Sequence, residues 1–194
     1  MKRKYRRFDA VKIEAMKDIR KVFGIGAAGA FLMTILMAAA RLSGITTINL
    51  ETDLGSWVMG TLGPLVWLVG VALHLSTGGI FALIYVWFFR RFFKHAGWRE
   101  GLVLSLPHAV FSGLLMGVLP HLHPLMVPGQ IPPPPGLLLP PGFFAGHYGE
   151  VTAVLFIGMH LAYGAFVGEM YAEHDRKEPF TSPDYSRQET RKAA

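Results

Sequence analysis

LGSWVMGTLGPLVWLVGVALHLSTGGIFALIYVWFF, residues 54–89, contains no Asp, Glu, Lys or Arg. A helix crosses a hydrocarbon core of ~30 Å with about 20 apolar residues. This stretch is too long for one crossing, and Pro64 divides it. Proline suits the first turn of a helix, where its missing N–H has no partner to lose. The crossing is therefore expected at 64–89, and residues 53–62, with Trp57, as a short interfacial helix.

Outward from this segment, three further stretches are long and apolar enough to cross: 22–40, 101–119 and 151–171. The composition agrees. The chain has 194 residues, 52% of them hydrophobic and 16% charged, where soluble domains carry about 25% charged residues. Cysteine is absent, which excludes disulfides, thiolate-held iron–sulfur clusters and thiol catalysis.

The net charge of +6 invites a nucleic-acid reading. The placement of the basic residues argues for orientation instead. Nine of the 19 Lys and Arg precede the first span, four lie between the second and third, and five follow the fourth; Arg41 alone occupies the other two connections. Basic residues accumulate on the cytoplasmic side, so both termini are expected there. No cleavable signal peptide is evident, since the first span lacks a cleavage site before Arg41. The expected fold is one all-α domain, a four-span helical bundle spanning residues 22–172, with its termini in the cytoplasm and no nucleic-acid partner.

Residues 120–150 then form an extracytoplasmic loop. Nine of the 13 prolines lie between Pro120 and Pro141, and Pro132–Pro135 is expected as a short polyproline II rod. Apolar neighbours, Leu137–Leu139 and Phe143–Phe144, predict a loop lying against the bundle mouth or in the headgroup layer. It reads as a rigid cover or as a docking surface. Residues 1–21 place Phe8, Val11, Ala15, Ile19 and Val22 at helical spacing among basic residues. That pattern fits an amphipathic helix on an anionic leaflet or a plain extension of the first span. Residues 173–194 are polar, contain Pro179 and Pro183, and are expected to be disordered.

Small residues allow membrane helices to approach closely. Gly113 with Gly117, and Gly164 with Gly168, are GxxxG pairs of this kind. Three spans each hold one histidine: His74, His108 and His160. A small residue follows four positions later in each case, on the same helical face. Imidazole is costly in lipid, so these faces are expected to point inward. One reading is that each ring is neutral and hydrogen-bonded; Pro107 frees the Val103 carbonyl as one acceptor. A second is a haem or transition-metal site, and a third a proton or ligand path. From the rise of ~1.5 Å per residue, the three rings are expected at depths differing by ~6 Å, a ladder rather than one metal centre. Pairwise haem ligation by His74 and His160 stays open.

A second group gathers outside the spans: His121, His123, His147 and Glu150, with Glu51 and Asp53 on the same side. These are ligand types for zinc or copper. The competing reading is helix capping and ion pairing, as between Arg41 and Glu51 or Asp53. No GxSxG, Gly-Lys-Ser/Thr loop, HExxH or paired intramembrane carboxylate occurs, and the reading leans away from an enzyme.

Several segments together, GAAGAFLMTILMAAARLSG, DLGS, VGVALHLSTGGIFALIYVWFF, GWREGLVLSLPHAVFSGLLMG and HLAYGAFVGEMY, resemble the small four-helix bacterial inner-membrane proteins related to YagU. The resemblance covers about residues 26–171. It rests on a histidine in the second span, here His74, and a histidine followed by small residues and an acid in the fourth, here His160 and Glu169. It implies a four-helix fold in the inner membrane and implies no activity. The expected function is a non-enzymatic accessory or scaffold component of a membrane complex. The alternatives are a haem- or metal-binding protein of electron or proton transfer, and a small-solute permease working as a homo-oligomer.

Overall fold

Residues 2–93 and 95–177 are described in the computed structural model, with side chains from Asp18 onward. Among the described residues all the regular structure is helical: α1 (Lys2–Leu42), α2 (Leu50–Met59), α3 (Pro64–Phe92), α4 (Trp98–Val118) and α5 (Glu150–Lys177), with 3₁₀ turns at Leu119–His121 and Phe143–Tyr148. Four segments among the described residues are long and apolar enough to cross a membrane: Asp18–Leu42, Pro64–Phe92, Trp98–His121 and Glu150–Lys177. Each extends the expected span by one to six residues at an end. The reason is visible at α3, where the helix continues through Arg90 and Arg91, cations placed favourably at its negative C-terminal end. Large apolar side chains such as Phe31, Ile35, Ile80, Phe111 and Val154 stand exposed on the outer faces, as a lipid-facing surface requires.

The helices pair through glycines. α1 runs antiparallel to α3, with Asp18 beside Arg90 and Thr34 beside His74. Between these contacts a Cβ at Gly26 would overlap the Gly78 carbonyl and the Ala82 side chain. α4 and α5 form the second antiparallel pair. A Cβ at Gly164 would overlap the Gly101 carbonyl, and one at Gly168 the Gly97 carbonyl. Gly113 and Gly117 do something else. Their bare faces receive the rings of Phe144 and Phe143, from the turn that follows the proline-rich segment. Here the groove on α4 is filled by loop aromatics and not by another membrane helix.

Helix α2 departs most from expectation. Its charged face is buried: Glu51 is 1% exposed and Asp53 2% exposed. It folds back antiparallel along α3, where Gly55 meets the Val66 carbonyl and Gly70 the Glu51 carbonyl, both too close for a Cβ. Asn49 accepts from Thr52 N–H at its start, and Gly60, at φ 64°, ends it in the left-handed conformation that favours glycine. The expected surface helix is thus a packed fifth helix, because two glycines on facing sides let it sink onto α3.

Two apolar clusters hold the bundle. One surrounds Val22, Tyr85, Phe89, Tyr163 and Tyr171, toward the C-terminal ends of α3 and α5. The other joins Ile48, Met116, Ala145 and Phe156 at the loop end. The loop itself returns on the bundle, with Leu138 N–H donating to Leu125 at 2.8 Å and Pro140 and Pro141 fully buried. The backbone of α1 is helical without a break from Lys2, and Val22 faces the core while Ile19 is exposed. The side chains of Phe8, Val11 and Ala15, and residues 178–194 of the tail, lie outside the described residues.

Candidate functional site

Between the two apolar clusters lies a partly open cavity of about 180 Å³. All three intramembrane histidines line it, together with Arg41 and Glu51 from the loop end. The register of the helix pairs therefore brings His74, His108 and His160 around one space, where depth counting along upright helices spread them out. His108 and His160 rings meet edge to face with centroids 4.9 Å apart.

Each ring has a structural partner. His160 Nδ1 lies 2.8 Å from the carbonyl of Phe156, one turn earlier. A carbonyl only accepts, so Nδ1 carries the proton and Nε2 is left as a lone pair. His74 Nδ1 lies 3.0 Å from Thr34 Oγ1 and 3.9 Å from Glu51 Oε1. His108 stacks on Phe81, with centroids 3.7 Å apart, and its Nδ1 lies 3.1 Å from the Tyr85 hydroxyl. Its partner is thus a tyrosine on α3, and not the Val103 carbonyl that Pro107 makes available. Tyr163 donates its hydroxyl proton to the Gly78 carbonyl. The remaining walls are apolar and soft, with Met33, Met37, Met116, Met159, Phe81 and Phe156 among them.

Glu51 closes the loop end of the cavity. Its Oε2 accepts from Arg41 Nη1 at 3.3 Å, and the same Arg41 nitrogen donates to the Ile48 carbonyl at 3.1 Å. The expected pairing of Arg41 with an acid of α2 is present, through Glu51. Asp53 points elsewhere, and its Oδ2 is buried without a hydrogen-bond partner. Burial and the neighbouring Glu51 carboxylate push its carboxyl up to about 7, against the pull of Arg41. Burial, helped by the Asp53 charge, also raises the Tyr148 phenol.

The outer histidines are dispersed. His123 is buried and fully engaged: Nε2 lies 2.9 Å from the Asp53 carbonyl and Nδ1 accepts from Leu125 N–H at 3.0 Å. This locks the loop onto α2. His147 Nδ1 donates to the Pro140 carbonyl at 2.8 Å, while His121 and Glu150 are exposed. Among the described residues, no group of three or more His, Asp or Glu side chains is placed to hold a metal ion. For a haem the central cavity is small. About 150 Å³ suffices for one benzene ring, and a tetrapyrrole is several times larger than that. At the opposite end, Asp18 bridges Arg90 at 2.7 Å and His174 at 3.0 Å, and Arg90 donates to the Tyr171 hydroxyl at 2.8 Å. Glu169 stands apart, exposed and 3.8 Å from Arg176.

No family model, curated protein or solved structure matches this chain. The described residues form a small all-α bundle with four helices long and apolar enough to span a membrane.

Proposed function

We propose that this protein is a non-enzymatic, membrane-spanning binding protein that holds a small, largely apolar molecule between its helices. One observation carries the reading. A partly open cavity of about 180 Å³ lies between the helices, with apolar walls and a few convergent polar groups, the composition typical of small-molecule sites. The histidines around it are held by protein partners on one edge, which suits a binding role. Such a protein serves as an accessory component of a larger membrane assembly or of its own homo-oligomer. The resemblance to the YagU-related proteins is the ground for reading a bacterial inner-membrane location. The distribution of Lys and Arg supports cytoplasmic termini and an extracytoplasmic proline-rich loop.

The test is thermal unfolding of the purified protein in mild detergent with toluene, a probe of the cavity's size. Ligand that binds only the folded state raises the melting temperature with concentration. The wild type is expected to be stabilised, and Ser112→Phe or Leu115→Trp, which fill the space, are not. Equal shifts in all three proteins would mean that toluene acts through the micelle, and the binding reading would fail.

A further inference from the structure

We infer that the molecule held in the cavity is a hydrogen-bond donor of the phenol class, recognised through the bare ring nitrogen of His160. This inference rests on the proposed binding function and names its ligand chemistry.

The polar groups around the cavity supply both donors and acceptors, and several of the donors are already engaged. The Tyr163 hydroxyl proton is spent on Gly78. That of Thr77 goes to the Leu73 carbonyl at 2.8 Å. Arg41 Nη1 is spent on Ile48 and Glu51. Among the acceptors, one ring nitrogen stands free. The Phe156 carbonyl fixes the His160 proton on Nδ1 at 2.8 Å, so Nε2 is an unprotonated nitrogen on a residue of the cavity wall. It has no hydrogen-bond partner among the described residues. The Glu51 carboxylate adds further acceptor capacity at the loop end, its Oε1 standing 3.9 Å from His74 Nδ1. Ser112, whose hydroxyl has no partner among the described residues, can turn either way.

A guest with only acceptor atoms, such as a quinone or an ether, would leave the His160 lone pair unmet in an apolar space. An unmade buried hydrogen bond is costly, so the site selects against such a guest. A guest that donates a proton to it is favoured. The walls define the rest of the molecule. Phe81 and Phe156 offer ring faces, and Met33, Met37, Met116 and Met159 offer polarisable sulfur, which makes favourable contacts with aromatic rings. The volume limits the guest to about one six-membered ring with a small substituent. A hydroxylated aromatic ring meets all three conditions.

The experiment compares 4-methylphenol with 4-methylanisole, which differs by capping the donor, in binding to the full chain in mild detergent. Micelle-only titrations supply the blank. The phenol is expected to bind at least tenfold more tightly, and His160→Phe is expected to level the two. Because His160→Phe can also disturb folding, histidine ¹⁵N resonances of the wild type provide a second reading. An unprotonated ring nitrogen is expected to shift upfield on addition of the phenol and to stay in place with the anisole. Equal or tighter binding of the anisole overturns the donor inference while leaving a ligand-binding cavity. Binding of neither, with the cavity holding water alone, overturns the proposed function itself.

Discussion

Arg41, at the end of α1, reaches Glu51 on α2 at 3.3 Å, and Glu51 is 1% exposed. This pair ties the connection between the first two helices to the roof of the cavity. Removing one partner leaves the other charge buried, which costs far more than replacing both. Arg41→Met is expected to destabilise the fold by about 3 kcal/mol. Arg41→Met with Glu51→Gln together is expected to cost less than Arg41→Met alone. Denaturation curves in mild detergent with added SDS would read both values.

Asp53 makes stability depend on pH in an unusual sense. Its carboxyl is pushed up to about 7 from an ordinary 3.8. Between those values the folded state holds a proton that the unfolded chain has released. Stability therefore falls as pH rises through this window, by on the order of 4 kcal/mol in all, and is flat in this group above about 7. Asp53→Asn keeps the shape without the charge. It is expected to unfold at a higher temperature than the wild type at pH 8, and at nearly the same temperature at pH 4. Melting curves across this range check both ends.

Two glycines of α5 should answer oppositely to the same methyl group. A Cβ at Gly164 would overlap the Gly101 carbonyl and Ser105, whereas nothing lies within 4 Å of one at Gly158. Gly164→Ala is expected to lower stability by about 1–3 kcal/mol through overpacking. Gly158→Ala is expected to be neutral or to raise it by up to about 1 kcal/mol, since alanine is the better helix former. The two melting temperatures should move in opposite directions or differ by several degrees.

The absence of cysteine makes sidedness simple to measure, because any introduced thiol is alone. Gln130 and Asp175 are both exposed. In intact cells, Gln130→Cys is expected to react with an impermeant maleimide. Asp175→Cys is expected to react only after the membrane is opened. The reverse pattern would invert the proposed orientation.

Much of this architecture can be read from residue order alone. Hydropathy marks the four long helices because each must present apolar side chains outward as well as inward. The close contacts of Gly164 and Gly168 follow from their spacing. What cannot be read is what lies opposite a given face. Gly113 and Gly117 have the same spacing, yet they receive Phe144 and Phe143 from a loop. Pairing of that kind depends on chain return and leaves no local periodicity. Helix α2 is obscure for a similar reason. Its acid Glu51 looks like solvated surface until Arg41 and His74 are brought to it. For the three histidines, their inward direction was legible from small residues one turn away. Their convergence on one cavity depends on the register between helices, and their partners Thr34 and Tyr85 carry no mark in the sequence.

The most direct test of a cavity that holds a small molecule is equilibrium uptake of labelled toluene by the purified protein, with micelles alone as blank. The account predicts saturation near one molecule per chain and loss of that uptake in Ser112→Phe. Uptake that rises linearly without saturating, and that matches the micelle blank, would contradict it.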